Sequence, residues 1–260
     1  MNVRKLLFAA MAVMLSLPAA AQVPDNVVEV GILPGWREAD GRHIAGLSIR
    51  LAPGWKTYWR APGDGGIPPI FDWSGSSNVR AVGVHYPVPE VFRVNGVRSI
   101  GYVEHVLFPL MIDTRDAAAG IRLNGVVELG VCQDICIPVS FEVSADLGSV
   151  GQSSPALIAA LEDRAREGGA MRCEVSPIAD GLRVTVETDM PPMGADEIAV
   201  IEASESGLWI SEAETRRSGG TLWAEVEMVP PTAKPFALAR SDVRLTVVAG
   251  GEAVEITGCR

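Results

Sequence analysis

Apolar and polar residues alternate with a period of two along most of this chain. Asn26–Leu33 (NVVEVGIL) and His43–Leu51 (HIAGLSIRL) carry the pattern, which marks strands with one face buried. Between them, Pro34-Gly35 and Asp40-Gly41 are turn dipeptides. Gly54–Arg60 (GWKTYWR) is a short aromatic strand with Trp55, Thr57 and Trp59 on one face and Lys56 and Tyr58 on the other. Its two indoles are expected in a core. Ala61–Pro69 (APGDGGIPP) is loop, because proline cannot donate to a ladder and glycine weakens one. Ile70–Trp73 and Val79–Tyr86 resume the pattern, and Asn95-Gly96 within Phe92–Ser99 is a tight-turn signal. Ile100–Ile112 and Ile121–Val131 read as longer strands separated by the turn-like Asp113–Gly120, and Ile137–Val143 follows. Short strands at hairpin spacing predict an antiparallel sandwich.

Ser154–Arg166 (SPALIAALEDRAR) is the one good helical stretch after the N-terminal segment. Ser154 is placed to cap it, Pro155 suits its first position, and Gly168-Gly169 ends it. A second strand series follows at Gly181–Thr188, Glu197–Ala203, Leu208–Ser211, Thr221–Met228, Val243–Ala249 and Ala253–Thr257. The expected organisation is an all-β chain. A first sandwich spans residues 22–150, a helical linker 151–169, and a second sandwich 170–260.

Residues 1–21 have the pattern of a secretory leader: Arg4 and Lys5, an apolar core from Leu6 to Leu17, and the small-residue end Pro18–Ala21. That core is too short for a membrane span of about 20 residues, and no later run is long enough. A soluble, exported chain without a membrane span is expected. Its formal charge of -10 becomes -12 without Arg4 and Lys5. A field of that sign repels nucleic acid and anionic membranes.

Four cysteines in an exported chain fit an oxidising compartment and permit two bridges. On the chain-entropy model, a bridge from Cys173 to Cys259 closes a long ring and stabilises by about 4.5 kcal/mol, against about 2 kcal/mol for one from Cys132 to Cys136. Cys259 lies one residue from the chain end, so the long bridge would clamp a strand that otherwise frays. The structural disulfide is therefore expected at Cys173 and Cys259. Cys132 and Cys136, separated by Gln133-Asp134-Ile135, close a ring that their hairpin already holds. The residues alone leave two readings for this pair, a staple or thiol–disulfide exchange. In the second, a thiolate attacks a disulfide and the other cysteine resolves the mixed intermediate. Asp134 inside the loop raises the thiol pKa, so such a pair reacts mainly within a complex. The three histidines, His43, His85 and His105, are not at ligand spacing from the cysteines, so no metal site is expected. Serine–histidine catalysis, phosphate-cradling glycines and paired carboxylates find no support, and no cofactor is expected.

Four segments in order, GWKTYWRAPGDGGIPP (Gly54–Pro69), FDWSGSSN (Phe71–Asn78), YPVPEVF (Tyr86–Phe92) and GVCQDICIPV (Gly130–Val139), resemble the periplasmic N-terminal domain of DsbD. They resemble more closely that of its relative ScsB, and the second module is similar to the remainder of the longer ScsB-type N-terminal region. The resemblance implies an immunoglobulin-like fold for the sandwiches. It also implies a periplasmic cysteine pair that takes electrons from a membrane or thioredoxin-like donor and passes them to disulfide-bearing partners. By position, Cys132 and Cys136 match the family's redox pair, and Arg93–Tyr102 matches the loop that covers it. In DsbD that loop carries a shielding aromatic residue. Here the corresponding point falls near Asn95, flanked by Phe92 and Tyr102, and these three with Asp134 are the candidates for capping or partner contact. The family continues into a membrane-embedded domain whereas this sequence ends at Arg260, so the expected partners are thioredoxin-like periplasmic proteins and a separate membrane electron donor. A non-catalytic binding module with two structural disulfides is the alternative. A Cu(I)-binding copper-tolerance protein is another, since two thiolates suit that ion.

Overall fold

The computed structural model describes residues 27–260 apart from Asn95, Ala195 and Ser206; the leader expected at 1–21 lies outside them. The first ten strands are β1 (Val28–Arg37), β2 (His43–Leu51), β3 (Lys56–Tyr58), β4 (Ile70–Asp72), β5 (Val79–Val84), β6 (Glu90–Val94), β7 (Val97–Val103), β8 (His105–Thr114), β9 (Ile121–Cys132) and β10 (Cys136–Leu147). One sheet runs β1-β2-β8-β5 and the other β10-β9-β3-β7-β6, with β4 also on β9. The core between them holds Leu47, Ile49, Phe108 and Leu110 from the first sheet and Trp59, Tyr102, Leu129 and Val131 from the second.

Two local expectations are corrected. Ile100–Ile112 is not one strand: the chain turns at Glu104, which has φ +60°, and passes from the second sheet to the first. Its carbonyl accepts from Leu51 N at 2.6 Å and its N–H donates to Trp55 O at 3.0 Å, so the crossing is tied at both groups. Pro34-Gly35 is a bulge inside β1 and not a turn. The register slips between Leu33 and Trp36, and Gly35 supplies the positive φ that a bulge of this kind needs.

The helix α1 (Pro155–Glu162) is shorter than its sequence pattern. Ser154 makes no side-chain capping bond. The chain leaves the helix at Asp163, well before the glycines, because tertiary bonds compete: its carbonyl meets His85 Nε2 at 2.9 Å and Oδ1 accepts from Val88 N at 3.3 Å. Leu157 buries against Ile44 and Leu107 on the outer face of the first sheet. With that face covered, β2 is buried on both sides, which explains its nearly unbroken burial. Among the described residues no helix is long and apolar enough to cross a membrane.

The remaining strands are β11 (Arg166–Glu167), β12 (Met171–Pro177), β13 (Leu182–Asp189), β14 (Ile198–Glu202), β15 (Trp209–Ile210), β16 (Glu214–Ser218), β17 (Thr221–Val229), β18 (Arg244–Ala249) and β19 (Glu252–Thr257). They form sheets β11-β19-β18-β14 and β12-β13-β17-β15, with β16 also on β17. Alternate residues of the β14 sheet serve two cores. Ala199, Ile201, Leu245, Val247, Val254 and Ile256 fill the second sandwich, whereas Ile198, Val248 and Ala253 join the core of the first. The two sandwiches therefore share an apolar seam. Arg60, at the end of β3, crosses it to Glu202 at 2.9 Å and Glu255 at 2.8 Å, and Arg98 on β7 reaches Glu212 at 2.8 Å.

Candidate functional site

The β9–β10 hairpin sets Cys132 and Cys136 directly opposite each other. They are disulfide-bonded, with Cα atoms 4.2 Å apart, close to the separation of a non-hydrogen-bonded antiparallel pair. The two cysteines differ in exposure: Cys132 is fully buried and Cys136 is an exposed residue. Asp134 is exposed at the hairpin tip, and Ile135 beside it is 67% exposed.

Register shows which face carries the pair. Lys56 of β3 lies opposite Cys132, and Thr57 lies opposite both Val131 and Tyr102. Side chains alternate across a strand, so Cys132, Cys136, Lys56 and Tyr58 share the outer face while Thr57, Val131 and Tyr102 face inward. The expectation from β3's alternation holds, since Trp59 is in the core and Trp55 packs against it.

Tyr58 is nevertheless buried, because the Ala61–Pro69 loop folds over it. Its ring lies in a slot between two glycines. A Cβ at Gly66 would fall 2.9 Å from ring atom Cδ1, and one at Gly130 would fall 2.9 Å from Cδ2 and Cε2. The slot aims the hydroxyl at Cys136, with Oη 2.9 Å from Sγ and 3.3 Å from Gly65 O. Burial holds the Tyr58 hydroxyl above its ordinary pKa, so it stays protonated at neutral pH and able to donate. Lys56 is the cross-strand neighbour of Cys132 and brings a positive charge to this face.

The capping candidates separate. Phe92, on β6 opposite Ser99, is on the outer face. Its ring centroid is 6.3 Å from that of Tyr58 and 5.6 Å from Lys56 Nζ. Tyr102 belongs to the core: its hydroxyl donates to Pro87 O at 2.9 Å and its ring meets Phe108 edge-on at 5.3 Å. It cannot cover the cysteines, because one residue of displacement along a strand reverses the face. Asn95 lies outside the described residues. The second pair, Cys173 and Cys259, is also disulfide-bonded, with Cα atoms 5.6 Å apart. Tyr58 and Lys56 were not singled out from sequence as site residues. The signal was there in the alternation of β3, which sets both on the face away from the indoles, but the fold was needed to put that face beside β9.

Among the described residues, no group of three or more His, Cys, Asp or Glu side chains is placed to hold a metal ion. A search of curated protein sequences finds no match. Among solved structures, the chain is similar to the N-terminal periplasmic domain of ScsB from Proteus mirabilis, with a TM-score of 0.62, 23% sequence identity, and 91% of this chain and 94% of that chain covered. That likeness establishes the fold, an immunoglobulin-like β-sandwich architecture. Residues 29–147 match the family model described as thiol:disulfide interchange protein DsbD, N-terminal. The matched span begins in β1, closes at the end of β10, and contains the half-buried hairpin disulfide with Lys56, Tyr58 and Phe92 of its face: this segment belongs to the family of DsbD N-terminal domains.

Proposed function

We propose that the chain is a periplasmic thiol–disulfide exchange protein acting through Cys132 and Cys136, with thioredoxin-like proteins and a separate membrane electron donor as partners. The observation that carries this reading is the asymmetry of the hairpin disulfide. One cysteine is an exposed residue whose sulfur has a hydroxyl at hydrogen-bond distance, and the other is buried. A purely structural staple has no use for that arrangement. Exchange needs it, because a partner can approach one sulfur only.

In this reading the exposed residue, Cys136, is the one attacked first. A donor's thiolate attacks Cys136 Sγ, the bond to Cys132 breaks, and Cys132 leaves as a thiolate beside Lys56. The donor's second thiolate then attacks its own sulfur in the mixed disulfide and releases Cys136. The donor ends as a disulfide, and this chain gains two electrons and two protons. In the forward transfer, the Cys136 thiolate attacks a target's disulfide and Cys132 resolves the mixed species. Tyr58 donates to Cys136 Sγ whenever that sulfur carries negative charge.

The test is mixed-disulfide trapping with Cys132→Ala, which leaves Cys136 without its resolving partner. The expected outcome is a covalent complex with a thioredoxin-like protein in periplasmic extract, lost in Cys132→Ala/Cys136→Ala. A midpoint potential for Cys132–Cys136 below about −300 mV, in the range of structural disulfides, would leave the binding-module reading in its place.

A further inference from the structure

The loop over residues 61–69, which folds across Tyr58, is held by both sandwiches. Within the first, Ile100 N donates to Pro62 O at 3.0 Å, and Gly66 N donates to Gly63 O at 3.2 Å to close a turn. A Cβ at Gly65 would fall 2.7 Å from Val97 Cγ1 and 3.1 Å from Ser99 Oγ, so the turn lies tight on β7. The same loop also borders a cavity of about 470 Å³. Pro62, Gly63, Asp64 and Gly66 line it from the loop, and β14 and residues 208–213 line it from the second sandwich.

Glu212, between β15 and β16, reaches across to the turn. Its Oε2 accepts from Arg98 of β7 at 2.8 Å. Its Oε1 would stand 3.5 Å from a Cβ at Gly63, and Arg98 O would stand 3.4 Å from the same atom. Gly63 has φ +81°, a conformation that glycine adopts without strain, so the turn fits closely against both partners of the ion pair. Two residues on, Gly65 O accepts from Tyr58 Oη at 3.3 Å. Gly66 then forms one wall of the slot that aims this hydroxyl at Cys136 Sγ. A single turn thus links a carboxylate of the second sandwich to the hydroxyl beside the hairpin disulfide.

We infer that Glu212 is a positioning residue for the Tyr58–Cys136 contact, through which the second sandwich sets the acidity of the Cys136 thiol. The inference rests on the exchange function proposed above. Paired with Arg98, the Glu212 carboxylate keeps the turn pressed on β7, and the fixed turn closes the slot on its Gly66 side. Without the pair the turn loosens, the ring gains room, and the hydroxyl spends less time on a Cys136 thiolate.

Charge alone predicts the opposite result. A carboxylate raises the pKa of a thiol near it. Removing it, and so leaving the Arg98 guanidinium unneutralised, lowers that pKa. Lost positioning raises it. The sign of the shift separates the two.

The test is the pH profile of iodoacetamide alkylation at Cys136 in a Cys132→Ala background with Cys173–Cys259 intact. It is run for Glu212→Gln, for Tyr58→Phe and for the two together. The expected result is a Cys136 pKa about half a unit higher in Glu212→Gln, read as about threefold slower alkylation at a pH below it. Adding Glu212→Gln to Tyr58→Phe should give no further rise, because both act on one contact. The urea midpoint should stay nearly level, since a partly exposed ion pair adds little stability. A pKa that falls or stays in place in Glu212→Gln, or a rise that persists undiminished in the Tyr58→Phe background, would overturn the inference. The exchange reading fails on a separate readout, the absence of a trapped mixed disulfide in Cys132→Ala, so the two failures are distinguishable.

Discussion

The two disulfides of this protein are built into opposite kinds of place. Cys132–Cys136 joins directly opposed residues of a hairpin whose strands pair over their full length, so the covalent link adds little to what the ladder already holds. Cys173–Cys259 spans 86 residues and ties β12 to the last residues of the chain. There Arg260 N donates to Met171 O at 3.2 Å and Cys173 N donates to Arg260 O at 3.3 Å. One bridge is short, surface-facing and contacted by a hydroxyl. The other is long, and its Cys173 end lies in the second core. Under the proposed function, this difference lets one chain carry a reactive and an inert disulfide: loop length sets how much stability each loses on reduction, and exposure of the cysteine residues sets which one a thiolate can approach.

The largest expected effect breaks this contrast directly. Replacing both Cys173 and Cys259 by alanine should cost about 4.5 kcal/mol of unfolding free energy, whereas replacing Cys132 and Cys136 should cost about 2 kcal/mol or less. Urea unfolding of the two double variants reads the difference, and equal losses would remove the division of labour. The same gap of about 2.5 kcal/mol corresponds to about 50 mV for a two-electron couple. In a graded dithiothreitol titration, Cys132–Cys136 should therefore be reduced first, with Cys173–Cys259 at least that far below it. Mass-tagging of free thiols at each potential decides the order.

Much of this contrast was legible in the chain, and the missing parts share a cause. Ring size, the strand alternation of GWKTYWR and the ordered motifs around GVCQDICIPV required no coordinates. The break of Ile100–Ile112 at Glu104 did not follow from periodicity, because apolar residues continue on both sides while the chain changes sheets. The polar strand Glu214–Ser218 (ETRRS) lacked apolar alternation altogether; it exists because β17 offers it a ladder edge. The inward placement of Tyr102 depended on register, which a spacing argument carries only to within one residue. The approach of Tyr58 to Cys136 arises from a loop folding over a strand, a contact between segments 78 residues apart.

A smaller effect tests whether the second sandwich relies on more than its bridge. Glu197 accepts from Arg217 and from Met193 N, and both side chains of the ion pair are largely buried. The hydrogen bond from Arg217 is the first cause holding its carboxyl below the ordinary range. The folded state then binds fewer protons than the unfolded one. The stabilisation is thus complete above the unfolded carboxylate pKa of about 4.3 and is lost as pH falls through the lower folded value. Glu197→Gln should cost about 2 kcal/mol at pH 7 and flatten the fall of the urea midpoint below pH 4.5. An unchanged acid limb in that variant would mean that other groups govern it.

The finest distinction between the disulfides is chemical, and Tyr58→Phe isolates it. The variant keeps the ring in its slot between Gly66 and Gly130 and removes the hydroxyl that stands 2.9 Å from Cys136 Sγ. The hydroxyl also donates to Gly65 O at 3.3 Å; a Cys136 thiolate competes for that proton, and donation to its charge favours thiolate over thiol. A hydrogen bond to a charged group is worth about 1.5 kcal/mol, so its loss should raise the Cys136 pKa by about one unit. The measurement is the pH profile of iodoacetamide alkylation at Cys136 in a Cys132→Ala background, with Cys173–Cys259 intact. Lys56→Gln should shift the profile in the same direction by less, since its charge acts through a cross-strand neighbour and in contact with solvent. If Tyr58→Phe leaves the profile in place, the hydroxyl contributes packing alone. The reactivity of Cys136 would then rest on its exposure, and the reactive and inert bridges would differ in access without differing in thiol chemistry.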